Sequence, residues 1–289
     1  MTRRVTVVSL LTALIAAILV PTASAAPTYR NYVSLGDSFV SGPFIPLQRL
    51  DPLSCFKSTR NYPSVLAREL GIASFTDISC GGAQTKDMAG VQSGFPGQPV
   101  PQLSALRPDT DLVTVSIGGN DIGFGEIIQN CASRGLLDPH GAPCKAFYGD
   151  ELAQRIDATA PKVANVLQAI KQRSPKARIV VVGYLRILPP SGGCWPVVPI
   201  ASGDVPYLDA TQQLLNGMLG AQAKAAGAGW VNPYDISLGR DVCAAPWDKW
   251  VEGLIPTRLA FPVHPNASGM AAVGEQVAAA LTGTEFAGV

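Results

Sequence analysis

Residues 33–40 read Val-Ser-Leu-Gly-Asp-Ser-Phe-Val. The apolar run from Tyr32 to Leu35 reads as a strand and stops abruptly at Gly36-Asp37-Ser38. A serine at the C-terminal end of a strand lies where the sites of open α/β sheets gather. Gly36 permits a sharp turn that a β-carbon hinders, so the Ser38 hydroxyl can be presented to a cleft. The same three residue types also make ordinary turns, and the triplet gains meaning only from partners further along the chain.

Outward from this stretch, strand and helix patterns alternate. Tyr62 to Leu70 carries apolar residues at helical spacing and stops at Gly71, and Phe75 to Ser79 reads as a second strand. Asp111 to Ile117 is a β-branched run suited to a strand buried on both faces, and it ends in Gly118-Gly119. A long helix is expected over 151–173, a core strand over 178–183, a helix over 205–226, a short strand over 229–231 and a closing helix over 266–281. This β-α-β-α order predicts a three-layer α/β/α sandwich around a mostly parallel sheet. Right-handed crossovers bring the loops after the strands to one edge. Residues 189–203, rich in Pro and Gly, form the one clearly irregular segment, either a cleft wall or a connection.

Arg3 and Arg4 precede an apolar run from Val5 to Val20, and Ala23-Ser24-Ala25 has the A-x-A form of a cleavage site. The pattern predicts a signal peptide over 1–25, cleavage near Ala25-Ala26, a single domain over 26–289 and an extracellular location. The apolar run is short for a membrane span, so no stable span is expected. Losing Arg3 and Arg4 takes the basic count from 22 to 20 against 21 acids, a net charge of about −1. That balance lacks the basic footprint of a nucleic-acid binder. Six cysteines, all beyond the leader, predict three disulfides in an oxidising compartment. Fifteen pairings are possible. The sequential set Cys55–Cys80, Cys131–Cys144 and Cys194–Cys243 is favoured because each closes a local loop. No Cys-x-x-Cys occurs and only two histidines exist, which speaks against structural zinc.

A serine hydroxyl is a poor nucleophile until a base takes its proton, and imidazole titrates in the right range. His140 sits in a turn-like stretch between two cysteines, which leaves His264, in Pro262-Val263-His264-Pro265-Asn266, as the candidate base. Acyl transfer also needs donors for a developing oxyanion. The backbone N–H groups of Ser38 and Gly82 and the side-chain amide of Asn120 are available at three successive strand ends. Asp121 is read as a candidate helix N-cap. Asn266-Ala267-Ser268 is a formal glycosylation sequon, but it is read as the start of the final helix.

Taken together, the blocks GDSFVSG, SCGGAQTKDM, IGGNDIGF and VHPNASG resemble those of the SGNH or GDSL hydrolases, over nearly the whole chain after the leader. The resemblance implies the flavodoxin-like form of the sandwich, Ser38 as nucleophile, His264 as general base, and Ser38, Gly82 and Asn120 as the oxyanion hole. It further implies the secreted bacterial esterase and lipase branch, which has three sequential disulfides. The expected activity is carboxylic ester hydrolysis through an acyl-enzyme on acyl ester or lipid substrates, by a monomer without a cofactor. A carbohydrate O-deacetylase on the same fold is the enzymatic alternative. The alternative outside catalysis is an inactive secreted binding protein docking through Trp195, Trp247 and Trp250. One position departs from the family pattern: the Asp expected three residues before the histidine is Phe261. The Phe261 backbone carbonyl is therefore expected to orient His264 in a Ser–His dyad. A distant carboxylate from Asp235, Asp241 or Asp248 would make a triad instead.

Overall fold

The computed structural model describes residues 28–93 and 99–283. The predicted leader lies outside the described residues. Five parallel strands form one sheet: β1 (Asn31–Gly36), β2 (Ser74–Asp77), β3 (Leu112–Ser116), β4 (Arg178–Val182) and β5 (Gly229–Val231), in the order β2-β1-β3-β4-β5. This is the flavodoxin-like order, whose reversal point lies between β1 and β3. Every residue of β3 is buried, as its continuous β-branched run requires.

Among the described residues seven α-helices connect and cover the strands: α1 (Ser38–Ser41), α2 (Tyr62–Glu69), α3 (Phe124–Leu137), α4 (Pro143–Tyr148), α5 (Glu151–Arg173), α6 (Val205–Ala225) and α7 (Ala267–Thr282). The crossover through α2 runs from β1 to one side of the sheet, and that through α5 runs from β3 to the other. Right-handed connections therefore place the two helices on opposite faces. α2 packs against α7, and α5 against α6, to give the two outer layers. Apolar positions recurring along α5 (Leu152, Ile156, Val163, Leu167, Ile170) explain which of its faces is buried.

Element bounds lie close to those read from the sequence. β2 ends early, at Asp77, because that buried carboxylate accepts hydrogen bonds from the Ser79 N–H and hydroxyl and from Asn61, which turns the chain out of the sheet. The sequence reading anticipated a helix after Asp121 but gave α3 no range, and it missed α4. α4 carries no N-cap side chain of its own, and Asp204, sixty residues away, accepts from the Cys144 and Lys145 N–H groups instead. The three sequential disulfides are present. Each stabilises by about 2–4 kcal/mol, chiefly through the unfolded chain. Among the described residues no helix is long and apolar enough to cross a membrane.

Candidate active site

Gly36 pairs in register with Ser116, so the loops beginning at Asp37 and Ile117 leave the sheet side by side. Gly36 is obligatory there: its φ is +152°, and a β-carbon would stand 2.2 Å from Val40 Cγ2 and 2.6 Å from the Ser116 carbonyl. The Gln102 side chain clasps this peptide, accepting from the Gly36 N–H at 2.8 Å and donating to its carbonyl at 2.9 Å. Asp37 then caps the short turn α1 by accepting from the Phe39 N–H. Ser38 is the first residue of that turn, so its own N–H has no intrahelical acceptor.

His264 reaches Ser38 from 226 residues away. Its Nε2 lies 2.8 Å from Ser38 Oγ. The segment before α7 is pinned by main-chain bonds from Glu252 N–H to the His264 carbonyl and from Asn266 N–H to the Trp250 carbonyl. Asn266 is buried and serves as N-cap of α7, in keeping with its expected place at the start of that helix, while its amide donates to Glu252 and to the Lys249 carbonyl. The sequon asparagine is thus spent inside the fold. His140 is exposed and lines neither recess of the site.

The orienting group differs from the expected one. His264 Nδ1 lies 2.8 Å from the Pro262 carbonyl, not that of Phe261. The Phe261 carbonyl instead accepts the His264 backbone N–H at 3.2 Å. With Pro262 second, Val263 third at φ +59° and this closing bond, residues 261–264 have the marks of a type II turn. Its central peptide is turned so that the Pro262 carbonyl meets the ring. The distant carboxylates are engaged elsewhere or exposed: Asp241 accepts from the Cys243 N–H, Asp248 pairs with Arg240, and Asp235 faces solvent. The imidazole is thus held between Ser38 Oγ and a main-chain carbonyl, with no carboxylate bonded to it among the described residues. With Nδ1 donating to that carbonyl, Nε2 is left as the acceptor facing the serine.

The second and third blocks are fastened to each other. Asn120 Nδ2 donates to the Ala83 carbonyl at 2.9 Å, which leaves its other amide proton for a ligand. Gln84 donates to the Asn120 carbonyl. Asp121 accepts from the Thr85 N–H and hydroxyl. Its expected role as an N-cap is therefore corrected; Gly123 occupies that position, and Asp121 is a clamp between loops. Gly82, Asn120, Phe124, Phe261, Ser38 and His264 line one open cleft of about 450 Å³.

Behind Ser38 and Asn120 opens a narrower cavity of about 70 Å³, walled by Ile122, Ile127, Leu188, Leu208 and Leu215. Apart from Ser38 and Asn120, its polar wall groups are engaged within the fold. Gln212, for example, bonds the Ile187 N–H and the Leu185 carbonyl. No residue of the irregular segment 189–203 lines either recess. That segment is a connection, tied down by Cys194–Cys243. Of the three tryptophans named as docking candidates, Trp250 is buried, while Trp195 and Trp247 are exposed and line neither recess.

Burial dominates the electrostatics. Desolvation pushes His264 down to about 4, opposed by its hydrogen bond to Pro262. Desolvation pushes Asp37 up to about 7, opposed by hydrogen bonds from Tyr184 and the Phe39 N–H. The site thus holds a neutral imidazole against a serine hydroxyl, with a neutral amide close by. Such a set can accept the serine proton and stabilise an oxyanion.

The model of the GDSL-like lipase/acylhydrolase family matches residues 34–272. The chain belongs to that family. It is 42% identical to Lipase 2 of Streptomyces coelicolor over 254 residues, covering 86% of this chain and 84% of the relative. Among solved structures it resembles phospholipase A1 from Streptomyces albidoflavus (TM-score 0.72, 26% identity, 88% of this chain and 100% of that one). It also resembles the extracellular lipase of Streptomyces rimosus (TM-score 0.71, 26% identity, 88% and 99%). This GDSL-family chain is a carboxylic ester hydrolase. The four sequence blocks point to the same activity. Sequence reasoning missed the supports Gln84, Gln102, Tyr184 and the Pro262 carbonyl, which carry no local pattern.

Proposed function

We propose that the protein is a secreted esterase or lipase in which Ser38 is acylated with His264 as general base. The observation that carries this reading is the 2.8 Å contact from His264 Nε2 to Ser38 Oγ at the junction of two apolar-walled recesses. His264 takes the serine proton as Oγ attacks the ester carbonyl, then returns it to the leaving alcohol. Water deacylates the enzyme by the same route. The N–H groups of Ser38 and Gly82 and the spare proton of Asn120 receive the oxyanion. The apolar walls favour acyl chains over acetylated sugars, whose many hydroxyls would find few partners there. The A-x-A leader pattern, the three disulfides and the extracellular Streptomyces rimosus lipase support export.

A chain-length series of p-nitrophenyl esters, run beside acetylated xylan, tests the substrate class. The expected result is a kcat/KM that rises from acetate to medium chains, by about 15-fold for every two added methylenes that are buried. A preference for acetate combined with faster turnover of the glycan would establish the deacetylase instead.

The pH profile tests the base. kcat/KM should hold from neutral pH down to about 5 and fall through about 4, rather than near the 6.5 of free imidazole. An acid limb at about 6 to 7 would mean that a different group carries the proton. Stability is a poor proxy here. The unfolded chain protonates His264 near 6.5 and the folded one near 4, so this histidine destabilises the fold as pH falls across that window. Asp37, raised to about 7, acts in the opposite sense: its contribution is lost as pH rises through about 7. Between about pH 4 and 6.5 the two slopes offset.

A further inference from the structure

Tyr184 lies just beyond β4 and is buried. Its main chain is held from α6, where Asn216 accepts its N–H and donates to its carbonyl, each at 2.9 Å. Its ring packs edge-on against Phe39, with centroids 5.2 Å apart, and Phe39 in turn lies 5.1 Å from the His264 ring. The hydroxyl makes two bonds: 2.7 Å to Asp37 Oδ2 and 2.9 Å from the Gly119 N–H. Gly119 offers only a donor, so a phenolic lone pair takes its amide, and the phenolic hydroxyl donates to Asp37 Oδ2.

Asp37 is the residue before Ser38, and Gly119 is the residue before Asn120. One hydroxyl group therefore ties the peptide that carries the nucleophile to the peptide that carries the oxyanion amide. The approach is close on the Gly119 side: a β-carbon there would stand 3.1 Å from the phenolic oxygen and 3.2 Å from Cζ. Between these loops the main chain itself contributes a bond from Asp37 N–H to the Ser116 carbonyl, three residues upstream of Gly119.

We propose that Tyr184 is a positioning residue that sets the distance between Ser38 and Asn120 through its paired bonds to Asp37 and Gly119. The inference rests on the reading of Asn120 as an oxyanion donor. Removing the hydroxyl leaves the Gly119 N–H without its acceptor and lets the Asn120 loop settle away from the attacked carbonyl. An oxyanion donor displaced by about an ångström costs as much as about 100-fold, because it acts only at the transition-state geometry. The loss falls on kcat, since the ground-state carbonyl makes little use of the donor.

The test is a double-mutant cycle of Tyr184→Phe and Asn120→Ala, assayed on one ester at a temperature where every variant is shown to be folded. Tyr184→Phe should lower kcat by about 10- to 100-fold with KM within about threefold. Asn120→Ala should lower kcat by about 100- to 1,000-fold. In the Asn120→Ala background the further effect of Tyr184→Phe should shrink below about twofold. Should Tyr184→Phe not fold, Asn216→Ala, which loosens Tyr184 but keeps its hydroxyl, enters the same cycle with a smaller loss of the same dependence. Equal losses in both backgrounds would overturn the proposal and leave Tyr184 a packing residue. An Asn120→Ala variant with normal kcat would instead overturn the assignment of Asn120 on which the proposal rests.

Discussion

Ser38→Ala lowers kcat by about 10⁴-fold or more while the protein keeps its fold. Among the described residues Ser38 Oγ is the hydroxyl bonded to His264 Nε2, so on the proposed mechanism its loss removes the acyl-enzyme route rather than slowing it. What remains is the oxyanion hole and binding, which in other serine hydrolases still give about 10³–10⁴ over water. The main chain gives little reason to unfold. Ser38 opens a turn capped by Asp37, and its Oγ bonds a buried imidazole rather than holding any element in place. Circular dichroism and the thermal midpoint should match the parent within a few degrees. Mass spectrometry after treatment with an organophosphonate should show one adduct on the parent and none on the variant. A folded Ser38→Ala protein with near-normal turnover would end the serine mechanism.

His264→Ala should cost about as much, for a different reason. The serine remains but has no base, because His264 Nε2 is the only side-chain nitrogen bonded to Ser38 Oγ among the described residues. Two signatures separate this loss from a general collapse. The Ser38→Ala/His264→Ala double variant should be no slower than either single one, since the two groups act as a unit. The residual rate of His264→Ala should also climb about tenfold per pH unit as hydroxide replaces the missing base, over a range where the parent is flat. An additive double variant, or a single variant without that alkaline slope, would point to another base.

Much of this machinery is readable in the chain itself. β3 and β4 announce themselves by continuous β-branched runs, and α5 occupies the residues expected for it. The four blocks fall at strand ends because a parallel sheet sends every strand's C-terminus to one edge, so their order alone locates the site. What escapes is tertiary. Gln102, Gln84 and Tyr184 are single polar residues whose partners lie 36 to 147 positions away, and although Gln84 falls inside the second block, nothing local signals the tie that any of them makes. α4 is hidden because its cap is supplied by Asp204. The orienting carbonyl is displaced by one residue from the expected one for a local reason. A type II turn is normally signalled by Gly or Asn at its third position, and here that position is Val263 at φ +59°. A β-branched residue in that conformation is strained, and it persists because the bonds on either side leave the chain no alternative.

The same turn bears on how the enzyme tolerates mutation. In a Ser-His-Asp arrangement one nucleotide change can replace the carboxylate and leave the imidazole in the wrong tautomer. In this chain the acceptor is a main-chain oxygen two residues from the proposed base. No substitution at position 262 deletes a carbonyl. The tautomer of His264 is thus protected against point mutation in the acceptor and exposed only to changes that reshape the turn. The vulnerability passes from a side chain's chemistry to a loop's conformation.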